Sequence, residues 1–270
     1  MKSEQAISRC FKSLKSRGQG AFIPFITAGY PGLDESKELI IEMAKSGADL
    51  IEVGVAFSDP MADGPTIQEA SGIALSNGIT LKKTLQMIQE IRDSGTDTPI
   101  LLMGYANPFL AFGLETFAAE AKKSGVNGLI VPDLPVSEAR SWKRILGEYD
   151  IDLIMFISPT TGAERAEAIL KEAQGFVYCL SVAGITGARG DLPKELFRFL
   201  SDLKKKTSVP LVVGFGVSQA THIQQICDLA DGAIIASALI DGLKNQADAE
   251  ARKTFLRGFV RSMKDATIRA

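Results

Sequence analysis

A single carboxylate stands in the middle of a strongly apolar segment. Glu52 lies within residues 50–55, LIEVGV, and no other predicted strand carries a charge at its centre. Burying an ionised carboxylate is costly unless it is hydrogen-bonded or neutralised. Two interpretations stay open: a structural glutamate bonded to backbone amides or a hydroxyl, and a general acid or base whose pKa is raised by apolar surroundings. The second interpretation makes Glu52 a proton carrier near neutral pH.

Further acidic residues directly follow two predicted strands. Asp59 and Asp63 occur in FSDPMADGPT (57–66), and Asp133 ends GLIVPD (128–133). Aspartate is common in turns, so all three also fit turn or capping positions. Their spacing is weak support for a metal site, because no other segment supplies an obvious ligand.

Two short segments predict a site for an anion. GFGVS (214–218) ends one apolar run, and ASA (236–238), which contains Ser237, ends the next. Backbone N–H groups at helix starts bind phosphate without requiring lysine or arginine. Gly184 and Gly187, in a long loop, are positioned to close over the same group. A tight turn without a ligand remains the alternative for GFG.

Several apolar and aromatic residues fall inside or just beyond the predicted strands. Core packing is one explanation for them. The other is that together they form the apolar half of a pocket for an aromatic substrate. These residues are Phe25, Ile67, Met103, Ile130 and Tyr178.

A repeating pattern of strands and helices must position these residues. Eight short apolar runs are separated, in most cases, by stretches of helical length. The runs span 21–29, 50–57, 99–106, 128–133, 152–158, 176–182, 210–216 and 232–238. Near-continuous hydrophobicity, rather than alternation, is typical of parallel strands that are buried on both faces.

Amphipathic segments between and beyond the runs predict helices. They span 35–47, 81–95, 115–125, 196–207, 218–230 and 248–265, with Ser218 as the N-cap of the fifth. Residues 1–20 predict an extra N-terminal helix across the bottom of a barrel. We therefore predict an α/β protein in which residues 1–270 form a single (β/α)8 TIM barrel domain. An open, doubly wound sheet is the alternative.

Composition narrows the class of protein. Of the 270 residues, 46% are hydrophobic and 23% are charged, and the formal net charge is -2. These values are typical of a globular protein and give no support for a nucleic-acid or membrane partner. One histidine and three dispersed cysteines argue against a histidine-based zinc site and a disulfide framework. They favour a reducing, cytoplasmic location, and the first residues show no export signal.

One long block resembles a known family. Residues 51–68, IEVGVAFSDPMADGPTIQ, are similar to the signature of the tryptophan synthase alpha chain family. Five further blocks match the family in the same order, and the resemblance covers nearly the whole chain from about residue 18. The blocks are PFITAGYP (24–31), LLMGYANP (101–108), GLIVPDLP (128–135), SVAGITGARG (181–190) and GFGVS (214–218).

The resemblance implies a lyase that cleaves indole-3-glycerol phosphate to indole and glyceraldehyde 3-phosphate. It implies no cofactor in this chain, and a tryptophan synthase beta chain as partner in an alpha2beta2 tetramer. That partner is expected to hold pyridoxal phosphate and to receive the indole. By position, Glu52 and Asp63 match the family's catalytic carboxylates, and Tyr178 matches its active-site tyrosine.

The resemblance also implies the residues that bind the substrate. Phe25, Ile67, Met103 and Ile130 match positions that line the indole pocket. Gly187, Phe215, Gly216, Ala236 and Ser237 fall at the phosphate site. The loop at 183–193 is expected to be mobile and to close over the substrate.

Two departures from the family pattern keep alternatives open. Ala56 stands where proline is usual, and Ala236 stands where glycine is usual. They keep open the alternative of a chain whose own catalysis is weak and whose main role is to bind and activate the beta chain. A second alternative is a related barrel enzyme that acts on a different phosphorylated sugar or indole compound, and the SDPMADGP block argues against it. A flavin-dependent oxidoreductase is a third alternative, because such enzymes also use phosphate-binding loops.

Overall fold

The computed structural model describes residues 5–180, 192, 194–214 and 216–269. Within these residues, eight parallel strands form a closed barrel in chain order, and the last strand pairs with the first. The strands are β1 (Ala21–Thr27), β2 (Ile51–Gly54), β3 (Ile100–Met103), β4 (Gly128–Ile130), β5 (Asp152–Ile157), β6 (Val177–Leu180), β7 (Leu211–Gly214) and β8 (Gly232–Ile235).

Twelve helices accompany the barrel in the described part of the chain. They are α1 (Ala6–Ser16), α2 (Leu33–Lys45), α3 (Pro65–Ser76), α4 (Leu81–Asp93), α5 (Ala106–Phe112), α6 (Leu114–Ser124), α7 (Val136–Glu148), α8 (Ala163–Glu172), α9 (Lys194–Lys204), α10 (Ala220–Cys227), α11 (Ser237–Lys244) and α12 (Ala249–Asp265). None of these helices is both long enough and apolar enough to cross a membrane.

The strands pack on both faces, which explains their continuous hydrophobicity. In β2, Ile51 and Val53 belong to the apolar layer between sheet and helices. Leu50, just before the strand, belongs to a separate cluster inside the barrel. Because side chains alternate along a strand, Glu52 points the same way as Leu50, into the interior.

Helix α1 covers the amino-terminal end of the barrel. Its buried residues Ile7, Phe11 and Leu14 recur at helical spacing and belong to the interior cluster. The Phe11 ring lies 5.9 Å from the ring of Phe176, which precedes β6. This end is therefore filled by apolar side chains, so a polar ligand must enter from the carboxyl ends of the strands.

The closed barrel confirms the predicted fold class, and the open-sheet alternative is wrong. Each of the eight apolar runs contains one strand. The N-cap prediction at Ser218 is wrong, because α10 begins at Ala220 with Gln219 as its N-cap. The backbone N–H of Ser218 donates instead to Nδ1 of His222, so the chain turns into the helix one residue later.

A second buried acidic side chain, Asp152, lies at the start of β5, away from the carboxyl ends of the strands. Asp152 is fully buried, and neither of its carboxyl oxygens has a hydrogen-bond partner among the described residues. Burial, assisted by the charge of Asp150, raises the pKa of Asp152 to about 7. The folded protein therefore binds this proton more tightly than the unfolded chain, in which aspartate titrates near about 3.9.

The substitution Asp152→Asn is expected to make stability less sensitive to pH. Between the two pKa values the folded state binds more protons, so the free energy of unfolding falls as the pH rises. Asparagine cannot ionise, so urea unfolding at about pH 4 and about pH 8 should show a smaller fall in the variant. Asp202→Asn, at a side chain that is 68% exposed, should keep the wild-type fall. Equal falls in Asp152→Asn and wild type would contradict the expectation.

Candidate active site

Glu52 lies inside the barrel at the centre of β2. It pairs in register with Phe25 of β1 on one side and with Leu101 of β3 on the other. The side chain is only 1% exposed, and its Oε2 atom has no hydrogen-bond partner in the described part of the chain. A structural glutamate would be bonded to backbone amides or hydroxyls, so this geometry favours the interpretation as a proton carrier.

The surroundings of Glu52 favour its protonated form. Burial raises the pKa of its carboxyl to about 8, and the nearby charge of Asp63 adds to the effect. Near neutral pH, Glu52 therefore holds a proton that it can donate. A carboxyl group with this pKa suits a role as both acid and base.

Asp63 approaches the barrel from the loop between β2 and α3. Its Oδ2 atom accepts a hydrogen bond of 3.0 Å from the hydroxyl of Tyr105, and its backbone carbonyl accepts one of 2.9 Å from Gln68. Burial raises the pKa of Asp63, and the Tyr105 hydrogen bond opposes that rise. Asp59, in the same loop, is exposed and bonds to its neighbour Ser58. The fold thus brings Asp63, and not Asp59, to the site.

Tyr178 lies inside the barrel on β6. Its ring packs 4.7 Å from the ring of Phe156. A Cβ atom on Gly214 of β7 would overlap the Tyr178 ring, so glycine is required there for the ring to cross that strand. The charges of Glu52 and Asp63 both act on Tyr178 and, after burial, raise the pKa of its hydroxyl. The three side chains therefore share one electrostatic environment.

The apolar candidates are brought together only in part. Met103 and Ile130 pair in register on β3 and β4, and both contact the interior cluster. The Phe25 ring lies against Gly54, where a Cβ atom would stand 2.6 Å from its Cζ atom. Ile67 is buried in the first turn of α3 and belongs, with Phe25, to the other apolar layer. Phe25 on β1 and Met103 on β3 thus lie on the two strands beside Glu52, and Ile130 lies on β4, one strand farther away.

The predicted phosphate site falls partly within the described residues. Ala236 is the N-cap residue of α11, and Ser237 is the first residue of that helix, directly after β8. Gly216 follows β7 with φ +74°, a conformation that favours glycine. Phe215, Gly187 and the predicted loop closure at 183–193, apart from Leu192, lie outside the described residues. The first backbone N–H groups of α11 are of the kind that can bind an anion, so the phosphate site stays a prediction for this position.

A sequence profile of the family described as tryptophan synthase alpha chain matches residues 11–268. The chain belongs to the tryptophan synthase alpha chain family. It is therefore a lyase with the alpha-subunit role in tryptophan biosynthesis, and the resemblance of the sequence blocks is confirmed.

Individual members of the tryptophan synthase alpha chain family agree with the whole-chain match. The alpha chain of Roseiflexus sp. (strain RS-1) is 44% identical over 260 residues, which cover 96% of this chain and 98% of the relative. That of Chloroflexus aggregans is 42% identical over 263 residues, covering 97% and 98%. The crystal structure of the alpha chain from Legionella pneumophila has a TM-score of 0.90 at 33% identity, covering 98% of each chain.

Ala236 stands where the resemblance implies a glycine, and its ψ angle is −82°. Its φ angle is −117°, outside the left-handed region that favours glycine. The backbone N–H groups at the start of α11 can therefore be presented with an alanine at the N-cap. Ala56 is partly buried against the outer apolar layer.

Sequence reasoning missed Tyr105, although the block LLMGYANP contains it. The signal was a polar ring at the end of the third apolar run, where other strands are followed by acidic residues. The sequence pattern left a capping or orienting role open for Asp133, and the structure supports that role. Its Oδ1 atom accepts a hydrogen bond of 2.9 Å from the backbone N–H of Ala106, the first residue of α5.

Among the described residues, no group of histidine, cysteine and acidic side chains is placed to hold a metal ion.

Proposed function

We propose that Glu52, assisted by Asp63, cleaves indole-3-glycerol phosphate to indole and glyceraldehyde 3-phosphate. The observation that carries this proposal is the enclosed carboxyl of Glu52, whose Oε2 atom has no hydrogen-bond partner among the described residues and whose pKa is raised to about 8. A buried acid of this kind inside the barrel of a lyase is suited to moving a proton within a water-poor site.

The first step is protonation of the indole ring. Glu52 starts in its protonated form and donates the proton to C3 of the indole. The ring becomes a cation with a C2=N1 double bond, which can accept the electrons of the bond to be broken. Because burial holds the proton on Glu52 near neutral pH, the donor is ready before the substrate arrives.

The second step is cleavage of the carbon–carbon bond. The Glu52 carboxylate takes the proton from the glycerol hydroxyl next to C3, and a carbonyl forms at that carbon. The electrons of the broken bond form the C2=C3 double bond and return the C2=N1 pair to nitrogen. The products are indole, which keeps the proton from Glu52 on C3, and the aldehyde. Glu52 is protonated again by the proton taken from the glycerol hydroxyl.

Asp63 stabilises the charge that develops on the ring. Its carboxylate accepts a hydrogen bond from the indole N–H and offsets the positive charge at N1 in the cation. The two carboxyl groups therefore differ in role: Glu52 begins protonated, and Asp63 remains ionised. Burial raises the pKa of Asp63, and the hydrogen bond from the Tyr105 hydroxyl opposes that rise. Oε2 of Glu52 has no such partner among the described residues.

Substrate binding is assigned to the rest of the site. Phe25, Ile67, Met103 and Ile130 contact the indole ring, and Tyr178 borders the reacting atoms. Backbone N–H groups of Gly187, Phe215, Gly216, Ala236 and Ser237 hold the phosphate. Holding the phosphate at one end and the ring at the other fixes the reacting carbon beside Glu52.

We also propose a tryptophan synthase beta chain as the partner, in an alpha2beta2 tetramer, with pyridoxal phosphate in that partner. Two exposed apolar side chains near the carboxyl ends of the strands support a partner surface at that end of the barrel. Met61, in the loop before α3, is 86% exposed, and Leu110 on α5 is 57% exposed. Both side chains lie on segments that follow strands β2 and β3, so a beta chain bound at this end of the barrel would cover them.

Incubation with indole-3-glycerol phosphate tests the proposed function. The purified chain is expected to release indole and glyceraldehyde 3-phosphate in equal amounts, measured by chromatography, and a beta chain should increase the rate. Absence of indole both with and without the beta chain would refute the proposal. Very slow release of indole even with the beta chain, together with a faster reaction of the beta chain itself, would support the alternative in which this chain mainly activates its partner.

A further inference from the structure

The hydroxyl of Tyr105 links two points of the loop that carries Asp63. It accepts a hydrogen bond of 2.8 Å from the backbone N–H of Ala62 and is 3.0 Å from Oδ2 of Asp63. A tyrosine hydroxyl has one proton to donate. Because the Ala62 N–H must be the donor in the first bond, the Tyr105 proton goes to the carboxylate of Asp63. The direction of this chain of hydrogen bonds is therefore fixed.

The aromatic ring of Tyr105 also packs against the beginning of the same loop. Its centroid lies 5.5 Å from the ring centroid of Phe57, at the beginning of the loop. The side chain is almost completely buried, so it has little freedom to leave this position. Tyr105 thus contacts the loop near its start, at residue 57, and near its end, at residues 62 and 63.

The position of Tyr105 is itself fixed from a third strand. Tyr105 is the N-cap residue of α5, and the next backbone N–H, that of Ala106, donates to Asp133. Asp133 follows β4, so neighbouring strands β3 and β4 jointly hold the backbone of Tyr105. Tyr105 therefore connects the loop after β2 to strands β3 and β4 and holds that loop in a fixed position relative to the sheet.

We propose that Tyr105 is a positioning residue of the lyase, which holds the Asp63 carboxylate in place by the hydrogen bond from its hydroxyl. This inference rests on the proposed function, because it assumes that Asp63 acts on the substrate. One Asp63 oxygen is engaged by Tyr105, and the other is the one directed to the indole N–H. Loss of the hydroxyl leaves the carboxylate in the site, without its orientation.

The electrostatics of the site agree with this role. Burial raises the pKa of Asp63, and the hydrogen bond from Tyr105 lowers it. Among the described residues, the titratable groups whose charges couple to Asp63 are Glu52 on β2, Tyr178 on β6 and Tyr105 itself. Glu52 and Tyr178 cannot lower the pKa of Asp63, because neither is a cation. The ionised form of Asp63 depends on Tyr105 within this set.

The substitution Tyr105→Phe tests the inference, because it keeps the ring against Phe57 and removes only the hydroxyl. Two measurements are made on the full chain with its beta chain. The pKa of Asp63 is read from the carboxyl 13C chemical shift in a substrate-free titration, and kcat and KM are measured for indole-3-glycerol phosphate against pH. Tyr149→Phe, at the C-cap of α7, is the matched control.

We expect the Asp63 pKa to rise and the acid limb of kcat/KM to move to higher pH by the same amount in Tyr105→Phe. At neutral pH, kcat should fall about ten-fold or more, the effect of losing one hydrogen bond to a charged group, while KM changes by less than about three-fold. Tyr149→Phe should match wild type in both measurements. An Asp63 pKa and kcat that equal those of Tyr149→Phe would overturn the inference.

Two arrangements keep the test decisive. If Tyr105→Phe does not fold, Asp133→Ala replaces it, because this change loosens the start of α5 and should shift the acid limb in the same direction by less. An unchanged acid limb in a folded Asp133→Ala protein would then overturn the inference. The substrate-free titration of Asp63 needs no turnover, so it separates failure of the Tyr105 inference from failure of the proposed function.

Discussion

Glu52→Gln is expected to lower kcat for indole release by about three to four orders of magnitude. One positioned acid or base contributes about 10²–10⁴ in rate, and Glu52 is assigned both proton transfers. Glutamine has nearly the shape of glutamic acid and keeps the barrel interior filled, so KM should stay close to that of wild type. The measurement is steady-state indole formation with the beta chain present.

Two controls show that a loss of activity in Glu52→Gln is chemical. Glu115→Gln, at an exposed position in the first turn of α6, should keep full activity.

The second control is stability. The folded state of wild type retains the Glu52 proton up to about pH 8, whereas an unfolded glutamate loses it near about 4.3. Ionisation of Glu52 therefore opposes folding, and stability falls as the pH rises through this window. Glutamine removes that loss, so urea unfolding at about pH 8 should not show a less stable variant.

The pH dependence of the wild-type reaction follows from the same assignment. Glu52 must begin protonated, so kcat/KM should fall about ten-fold per pH unit above its pKa of about 8. On the acid side, activity requires ionised Asp63, whose pKa is also raised by burial. Near-wild-type turnover of Glu52→Gln, or an alkaline limb that Glu52 does not control, would contradict the mechanism.

The sequence predicts Glu52 because burial and charge conflict at one residue. A carboxylate between Ile51 and Val53 is costly to bury among apolar side chains, so the local sequence pattern is enough to single out Glu52 as a candidate site residue. The fold was predictable for a similar reason, since eight runs buried on both faces require helices outside and a filled interior. Both predictions use information that lies within a few consecutive residues.

The choice between Asp59 and Asp63 could not be made from local pattern. Both residues occur in one turn-rich loop, and the one that enters the site is selected by Tyr105, which is 42 residues away from Asp63 along the chain. The direction of Ile67 is also set by the packing of α3, a helix that the hydrophobic pattern did not define. Residues brought together by separate strands leave no spacing signal, so Tyr105 was found only in the structure.

Asp63→Asn is expected to lower kcat by about two to three orders of magnitude. Removing one preorganised group that stabilises transition-state charge costs about 10²–10³ in rate, and asparagine carries no charge to offset the cation at N1. Asparagine can still accept the indole N–H through its amide oxygen, so KM should change less than kcat. The matched control is Asp59→Asn, four residues earlier in the same loop and exposed, which should retain wild-type kinetics.

A second effect of Asp63→Asn distinguishes charge stabilisation from simple substrate binding. The negative charge of Asp63 contributes to the raised pKa of Glu52, so its removal should lower that pKa. The alkaline limb of kcat/KM should therefore move to lower pH in the variant, because Glu52 loses its proton sooner. A variant with raised KM, unchanged kcat and an unmoved alkaline limb would show that Asp63 only binds substrate. The residual activity of Asp63→Asn thus reports through its pH profile whether the two carboxyl groups act on each other as well as on the indole.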